Sequence, residues 1–292
     1  MINIQPNSLE NSLITVSGGA DSMCLLHLCK DIPGIMVAHV NYNFRDDSGE
    51  DEELVKQFCL INNIKLHTKV IQKETIPLSN FEEWARIIRY EFFESIQHAN
   101  KLASIVTAHN ANDQAETVIM RMIRGTGLKG LQGIHETRQQ FIRPLLGYTK
   151  ADIYTYCKVH NVPYREDSTN TDVKYFRNKI RHSVLQDEWI KPLCNISSIA
   201  QRLYPKLLLK CNELYASSII RTPTELTIDK SCKFDDLLFI YLSEWLSVHG
   251  ITLTNNLYET IKSNNPSSNC VILSKKCVCN KRKKKSITIS II

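Results

Sequence analysis

The run Ser17-Gly18-Gly19-Ala20-Asp21-Ser22 combines residue types that suit one kind of ligand. Two glycines let backbone amides approach closely, two hydroxyls can donate hydrogen bonds, and a helix starting here aims its positive end at an anion. That chemistry fits phosphate. The run lacks both the Gly-x-x-x-x-Gly-Lys-Ser/Thr spacing used for γ-phosphate transfer and the Gly-x-Gly-x-x-Gly spacing of a dinucleotide fingerprint. Read alone, a Gly-Gly turn can also be purely structural. Further along, Ala108 to Thr117 sets His109 ahead of Asp113 and Glu116, which with Met120 are spaced to share one helical face. Both carboxylates can then point into a cleft. Acids in a first turn also stabilise the helix start, and the two readings stand side by side.

The elements around these residues decide where they meet. Apolar β-rich runs at Leu13–Val16, Ile35–Val40, Leu66–Ile71 and Ser104–His109 alternate with helix-like stretches at Met23–Leu28, Glu52–Asn62, Phe81–Ala99 and Asp113–Arg124. Such alternation predicts an α/β fold, a parallel Rossmann-like sheet wrapped by helices. In sheets of this kind the site lies at the carboxyl ends of the strands. The glycine loop, His39 and His109 each fall at such an end, which places them near one site. A strand at Phe141–Leu145 and a helix from Thr149 to His160 follow, Thr149 and Asp152 being spaced as a helix start. Beyond about Pro192 the alternation stops. Residues 197–220 and 234–263 read as helical, and Cys270–Leu273 and Ser286–Ile291 as strands about a basic turn. The expected division is a catalytic domain over 1–194 and a smaller, mainly helical, basic domain over 195–292.

Charge and composition narrow the partners. Residues 1–194 carry 22 Lys and Arg against 23 Asp and Glu, whereas 195–292 carry 14 against 7. Seven basic residues lie between Lys275 and Lys285. That asymmetry suits a polyanionic partner, and equally a solvated lysine-rich hairpin. The 10 cysteines are scattered without a Cys-x-x-Cys pair, so reduced thiols are expected rather than a zinc site. No apolar run reaches the ~20 residues of a membrane helix, and the N-terminus lacks a basic start and apolar run, so a cytoplasmic location is expected.

Preceded by the β-rich run Leu13-Ile14-Thr15-Val16 and followed by an apolar helix, the Ser17–Ser22 loop resembles the pyrophosphate loop of the N-type ATP pyrophosphatases. Five further blocks choose among them: Glu83 to Tyr90, Ala108 to Leu131, Arg143-Pro144-Leu145-Leu146, Glu166 to Asn170, and Tyr175 to Arg181. In order and spacing they resemble the tRNA(Ile)-lysidine synthase family, over about residues 13–186. The resemblance implies a ligase that uses ATP to adenylate the wobble cytidine of an isoleucine tRNA with a CAU anticodon. The ε-amine of L-lysine then displaces AMP. It further implies that Ser17, Gly18, Gly19, Ala20, Asp21 and Ser22 bind ATP. Asp21 would position Mg2+, and Arg89 would stabilise the charged phosphoryl transition state. His109, Asp113 and Glu116 would bind lysine, with Glu116 or His109 helping to deprotonate it. Arg177 and Arg181 would contact tRNA or adenylate, or form a surface ion pair, and Lys281, Arg282 and Lys283 would contact tRNA. A homodimer is compatible with all of this. Tyr42 departs from the family pattern, standing where a second histidine is common.

Overall fold

The structure is a computed structural model. It describes residues 2–43, 48–77, 79–166, 176–229, 232–233, 235–263, 270–274, 277–283 and 286–291. Asp167 to Tyr175, which hold most of one expected family block, lie outside the described residues. The chain divides into two compact units, 1–201 and 202–292.

The first unit is built on β1 (Ser12–Thr15), β2 (Met36–Asn41), β3 (Lys65–Val70), β4 (Ser104–Val106), β5 (Thr137–Arg138) and β6 (Phe141–Ile142). The sheet order is β3-β2-β1-β4-β6-β5, parallel except for the β5–β6 pair. Leu13, Ile14, Val37, Ile105 and Val106 are fully buried, which is why these central strands read as continuous apolar runs instead of alternating ones. Helices α1 (Ala20–Cys29), α2 (Ser48–Ile61), α3 (Phe81–Asn100), α4 (Ala111–Ile123), α5 (Leu128–Leu131) and α6 (Lys150–Val159) connect and cover the sheet. One apolar cluster joins α1, α2 and α6 through Met23, Leu25, Leu26, Val55, Phe58 and Ile153. Another joins α3 to the sheet through Phe93, Ile96 and Ile105. The predicted start of α6 is a reciprocal capping box, Thr149 with Asp152.

Strand order turns back on itself at β1. The chain runs outward through β2 and β3, then returns to place β4 on the other side of β1. A crevice opens at the carboxyl ends of strands where such a reversal occurs. The segment from Arg121 to Leu131, at the other end of α4, is held by its own hydrogen bonds. Arg121 Nη1 donates to the carbonyls of Gly130 and Gly133, at 2.8 and 3.1 Å. Gln114 accepts from the Ile134 amide and donates to the Ile134 carbonyl and Ser197 Oγ.

Two further helices follow, α7 (Phe176–Ser183) and α8 (Asp187–Tyr215), and the boundary between the units falls inside α8. The second unit adds β7 (Ile219–Arg221), β8 (Glu225–Asp229), α9 (Asp236–Val248), α10 (Asn255–Lys262), β9 (Cys270–Ser274), β10 (Cys277–Lys283) and β11 (Ser286–Ile291). Its antiparallel sheet has the order β7-β8-β11-β10-β9. Ile219, Leu226, Ile228, Ile287 and Ile289 are buried with Leu238, Leu242 and Trp245 of α9. Three sequence expectations change here. Helix α8 ends at Tyr215 and the chain enters β7. The stretch 234–263 is two helices, each begun by a side-chain cap from Asp235 or Thr254. The basic segment expected as a turn is itself a strand, β10, paired on both sides. Lysine-rich composition hid its role, because strand pairing uses the backbone and leaves the side chains free to be charged.

Candidate active site

The loop between β1 and α1 is wound tightly by its own serines. The Ser17 amide donates to Ser22 Oγ at 3.1 Å, and Ser22 Oγ donates to the Gly19 carbonyl at 2.9 Å. Ser22 therefore shapes the loop, its hydroxyl proton already committed. Gly18 takes φ +97°, a conformation that side-chain-bearing residues rarely adopt. Gly19 stands at the N-cap of α1 with no side chain capping the first turn. Amides in the first turn of a helix are the groups that favour an anion.

Opposite the loop, α3 presents Arg86 and Arg89. The Arg86 guanidinium lies 5.2 Å from the ring centre of Tyr90. Tyr42, just past β2, donates its hydroxyl to the Ala85 carbonyl at 2.9 Å and contacts Phe81 and Trp84. Burial pushes its phenol up to about 12, so it stays a neutral donor. The departure from a second histidine at this position thus supplies an anchor for α3, and with it for both arginines. Sequence reading left Tyr42 without a role and missed Arg86, which is three residues from Arg89 and so nearly on the same helical face.

Past β4, Thr107 Oγ1 lies 2.8 Å from His109 Nδ1. Asn110 and Asp113 form a reciprocal capping box, the Asp113 amide donating to Asn110 Oδ1 and the Asn110 amide to Asp113 Oδ2. Both readings of Asp113 are therefore realised: it caps α4 and it lines the cavity. Ser17, Gly19, Asp21, Ser22, Arg89, His109 and Asp113 all line one cavity of about 380 Å³, at the ends of β1, β2 and β4. Burial raises the proton affinity of the Asp21 carboxyl; the cation of Lys150 opposes this and the nearby Asp113 adds to it.

Other expected residues are placed elsewhere. Glu116 is fully buried and engaged by Arg181, Nε to Oε1 at 2.6 Å and Nη2 to Oε2 at 3.2 Å. Arg181 also approaches Asp113 at 3.8 Å. Of the alternatives open for Arg181, the ion pair is the one seen, and it is largely sheltered rather than on the surface. His39 is buried, with Nδ1 2.9 Å from the Val16 carbonyl, and does not line the cavity. Since a carbonyl only accepts, Nδ1 carries the proton and the ring braces β2 against β1. Burial holds His39 below the usual histidine range. Arg177 lies on α7, and Lys281, Arg282 and Lys283 lie on β10, with their side chains outside the described residues.

A phosphate-binding loop at the reversal point of a parallel sheet, followed by a helix with uncapped first-turn amides, matches a known domain over residues 2–188, described as the PP-loop domain. The chain belongs to the PP-loop family. Among PP-loop relatives, the tRNA(Ile)-lysidine synthase of Mesoplasma florum is 36% identical over 253 residues, covering 83% of this chain and 62% of that protein. The tRNA(Ile)-lysidine synthase of Clostridium perfringens is 41% identical over 192 residues, covering 61% of this chain and 41% of that protein. The chain thus spans less than two thirds of the length of these relatives. Among solved PP-loop structures, the U34-tRNA thiolase NcsA from Methanococcus maripaludis, with its [4Fe-4S] cluster, aligns with a TM-score of 0.55 at 20% identity. That alignment covers 66% of this chain and 73% of that one, and at this identity the likeness concerns the fold. No helix among the described residues is long and apolar enough to cross a membrane.

Proposed function

We propose that this chain is a tRNA(Ile)-lysidine synthase, converting the wobble cytidine of a CAU-anticodon isoleucine tRNA to lysidine. The observation that carries the reading is the single cavity in which an anion loop, two arginines and the His109–Asp113 pair converge. Its volume falls in the range of small-ligand sites, roughly 300–1,000 Å³. The relatives' names support the choice of tRNA(Ile) as substrate and lysidine as product.

In this reading the Gly18–Gly19 turn and the first-turn amides of α1 receive the phosphates of ATP. Arg86 and Arg89 face the phosphoryl group, where positive charge stabilises a transition state that gathers negative charge. The cytosine O2 attacks the α-phosphorus and pyrophosphate leaves. The lysine ε-amine then attacks carbon 2 and AMP departs. Asp113 suits the ammonium of lysine as an acceptor. Of the two candidates for taking its proton, His109 is the better placed, since it lines the cavity and Glu116 does not. An amine with an ordinary value of about 10.4 needs such help near neutrality.

A magnesium ion fits this site. Among the described residues no cluster of three or more His, Cys, Asp or Glu is arranged to hold a metal. Asp21 and Asp113 line the cavity beside the loop, and Mg2+ characteristically takes one or two carboxylates and completes its shell with water and substrate phosphates. Asp21 would hold the ion, which when bound would neutralise charge on the leaving pyrophosphate.

The basic second unit is proposed to bind tRNA, and the oligomeric state, a homodimer included, is left to direct measurement. The deciding experiment incubates the folded protein with CAU-anticodon isoleucine tRNA, Mg-ATP and labelled lysine. Label entering the tRNA with release of AMP and pyrophosphate is expected. A tRNA that stays unlabelled ends the proposal.

A further inference from the structure

The Glu166–Asn170 block follows a residue that the reaction described above leaves unused. Arg165 touches the pyrophosphate loop with its backbone and a neighbouring helix with its side chain. Its amide donates to the Gly18 carbonyl at 3.0 Å, and it forms a parallel bridge with Gly19. The two glycines are thereby joined to a segment far along the chain. The side chain turns to the first turn of α2, where Nε lies 3.1 Å from Asp51 Oδ1 and Nη1 pairs with Glu50.

Those two acids are an awkward presence. Acids in a first turn favour the start of α2 through its dipole. Asp51, however, lies against the loop: a Cβ added at Gly18 would sit 3.1 Å from Asp51 Cβ and 3.4 Å from its Oδ1. A carboxylate so near a loop that receives a polyphosphate repels it. The Asp51 side chain is only 14% exposed, so water screens that repulsion poorly. A guanidinium paired with Asp51 offsets its charge, and its forked donors fix the geometry as a point charge would not.

We propose that Arg165 is a positioning residue for nucleotide binding: it holds Gly18–Gly19 open through its backbone and neutralises Asp51 through its side chain. The inference rests on the reading of this loop as an ATP site and deepens it. It assigns the Arg165–Asp51 pair a part in ligand affinity as well as in fold stability.

The test measures binding of α,β-methylene-ATP with Mg2+ to the full chain, without tRNA or lysine. Arg165→Ala is expected to weaken binding roughly tenfold, the order of repulsion by one uncompensated like charge near the ligand at the dielectric of a protein surface. Adding Asp51→Asn should return the affinity to within about threefold of wild type, because the repelling carboxylate is gone. A residue that merely braced the loop would not be rescued by this second change. Arg165→Lys, which keeps the charge and loses the fork, should fall between. It carries the same rescue test if the alanine variant melts below the assay temperature. Unchanged affinity in Arg165→Ala, or a loss that Asp51→Asn leaves in place, overturns the proposal. Wild-type protein that binds the analogue yet transfers no lysine to tRNA would sink the lysidine reading and leave this one standing.

Discussion

Asp21 stands in the first turn of α1, where the helix dipole favours its negative charge, yet it is sheltered and faces a second carboxylate. Sheltering and Asp113 together raise its proton affinity over the opposing pull of Lys150. The folded pKa is therefore above the unfolded one, and the native state binds the proton more tightly. This group's contribution to stability is full below the unfolded value, about 3.9, and is lost as pH rises through the raised folded value. Above that raised value the protein carries the whole penalty of an ionised Asp21. Asp21→Asn should accordingly melt at a higher temperature than wild type at pH 7, with the gain shrinking as the pH falls toward the unfolded value of about 3.9. It should also abolish pyrophosphate release. Calorimetric scans across that range check the first outcome, and a gain independent of pH refutes it. Stability forgone at a reactive carboxylate commonly accompanies activity.

Glu116 makes its contribution at the scale of elements. It and Arg181 tie α7 to α4 by a two-point ion pair, sheltered from water at the glutamate end. Ile180 strengthens the same junction, buried with Ala115, Val118 and Ile119. Removing Glu116 leaves the sheltered Arg181 with the more distant Asp113 carboxylate, at 3.8 Å, in place of a two-point partner. Glu116→Ala should cost about 3 kcal/mol and speed hydrogen exchange of the α7 amides before those of β1 or β4. Exchange unchanged in α7 would show that the pair does not hold the helix. The start of α6 was legible in sequence because its cap is local, Thr149 with Asp152; α4, expected from Asp113, begins at Ala111 behind an Asn110–Asp113 cap that the sequence reading did not use. The Arg181–Glu116 pair spans 65 positions, and no local spacing could announce it.

On the scale of the whole molecule, the positive excess belongs to the second unit, and the fold dictates how to test it. Cutting the chain before Lys275 would remove β10 and β11, and with β11 the buried Ile287 and Ile289. Such a truncation would disrupt the sheet as well as remove charge. Replacing Lys281, Arg282 and Lys283 by glutamine keeps the strand pairing and removes only charge. If β10 faces tRNA, affinity should fall, and the slope of log K against log salt should flatten by roughly one unit for each phosphate no longer neutralised. Filter binding at several salt concentrations measures both. An unchanged slope would clear β10 of any part in binding.

Local information in the sequence was enough for the parallel-sheet fold, the phosphate loop and its placement at strand ends, because buried strands, glycine turns and helix caps each leave a mark within a few residues. Strand-end placement and helical spacing were also enough to draw notice to His109 and Asp113, whereas Asp21 and Arg89 were given roles only by the family resemblance. Tertiary structure alone decided which of the acids faces the cavity. Asp113 and Glu116 are separated by three positions on one helix, yet Asp113 lines the cavity and Glu116 is claimed by an arginine from a distant helix. It also gave Tyr42 and Arg165 their partners and turned a lysine-rich segment into a strand. The physical reason is the same in each case: pairing of charges, donors and strand edges is set by proximity in space, which chain separation does not encode.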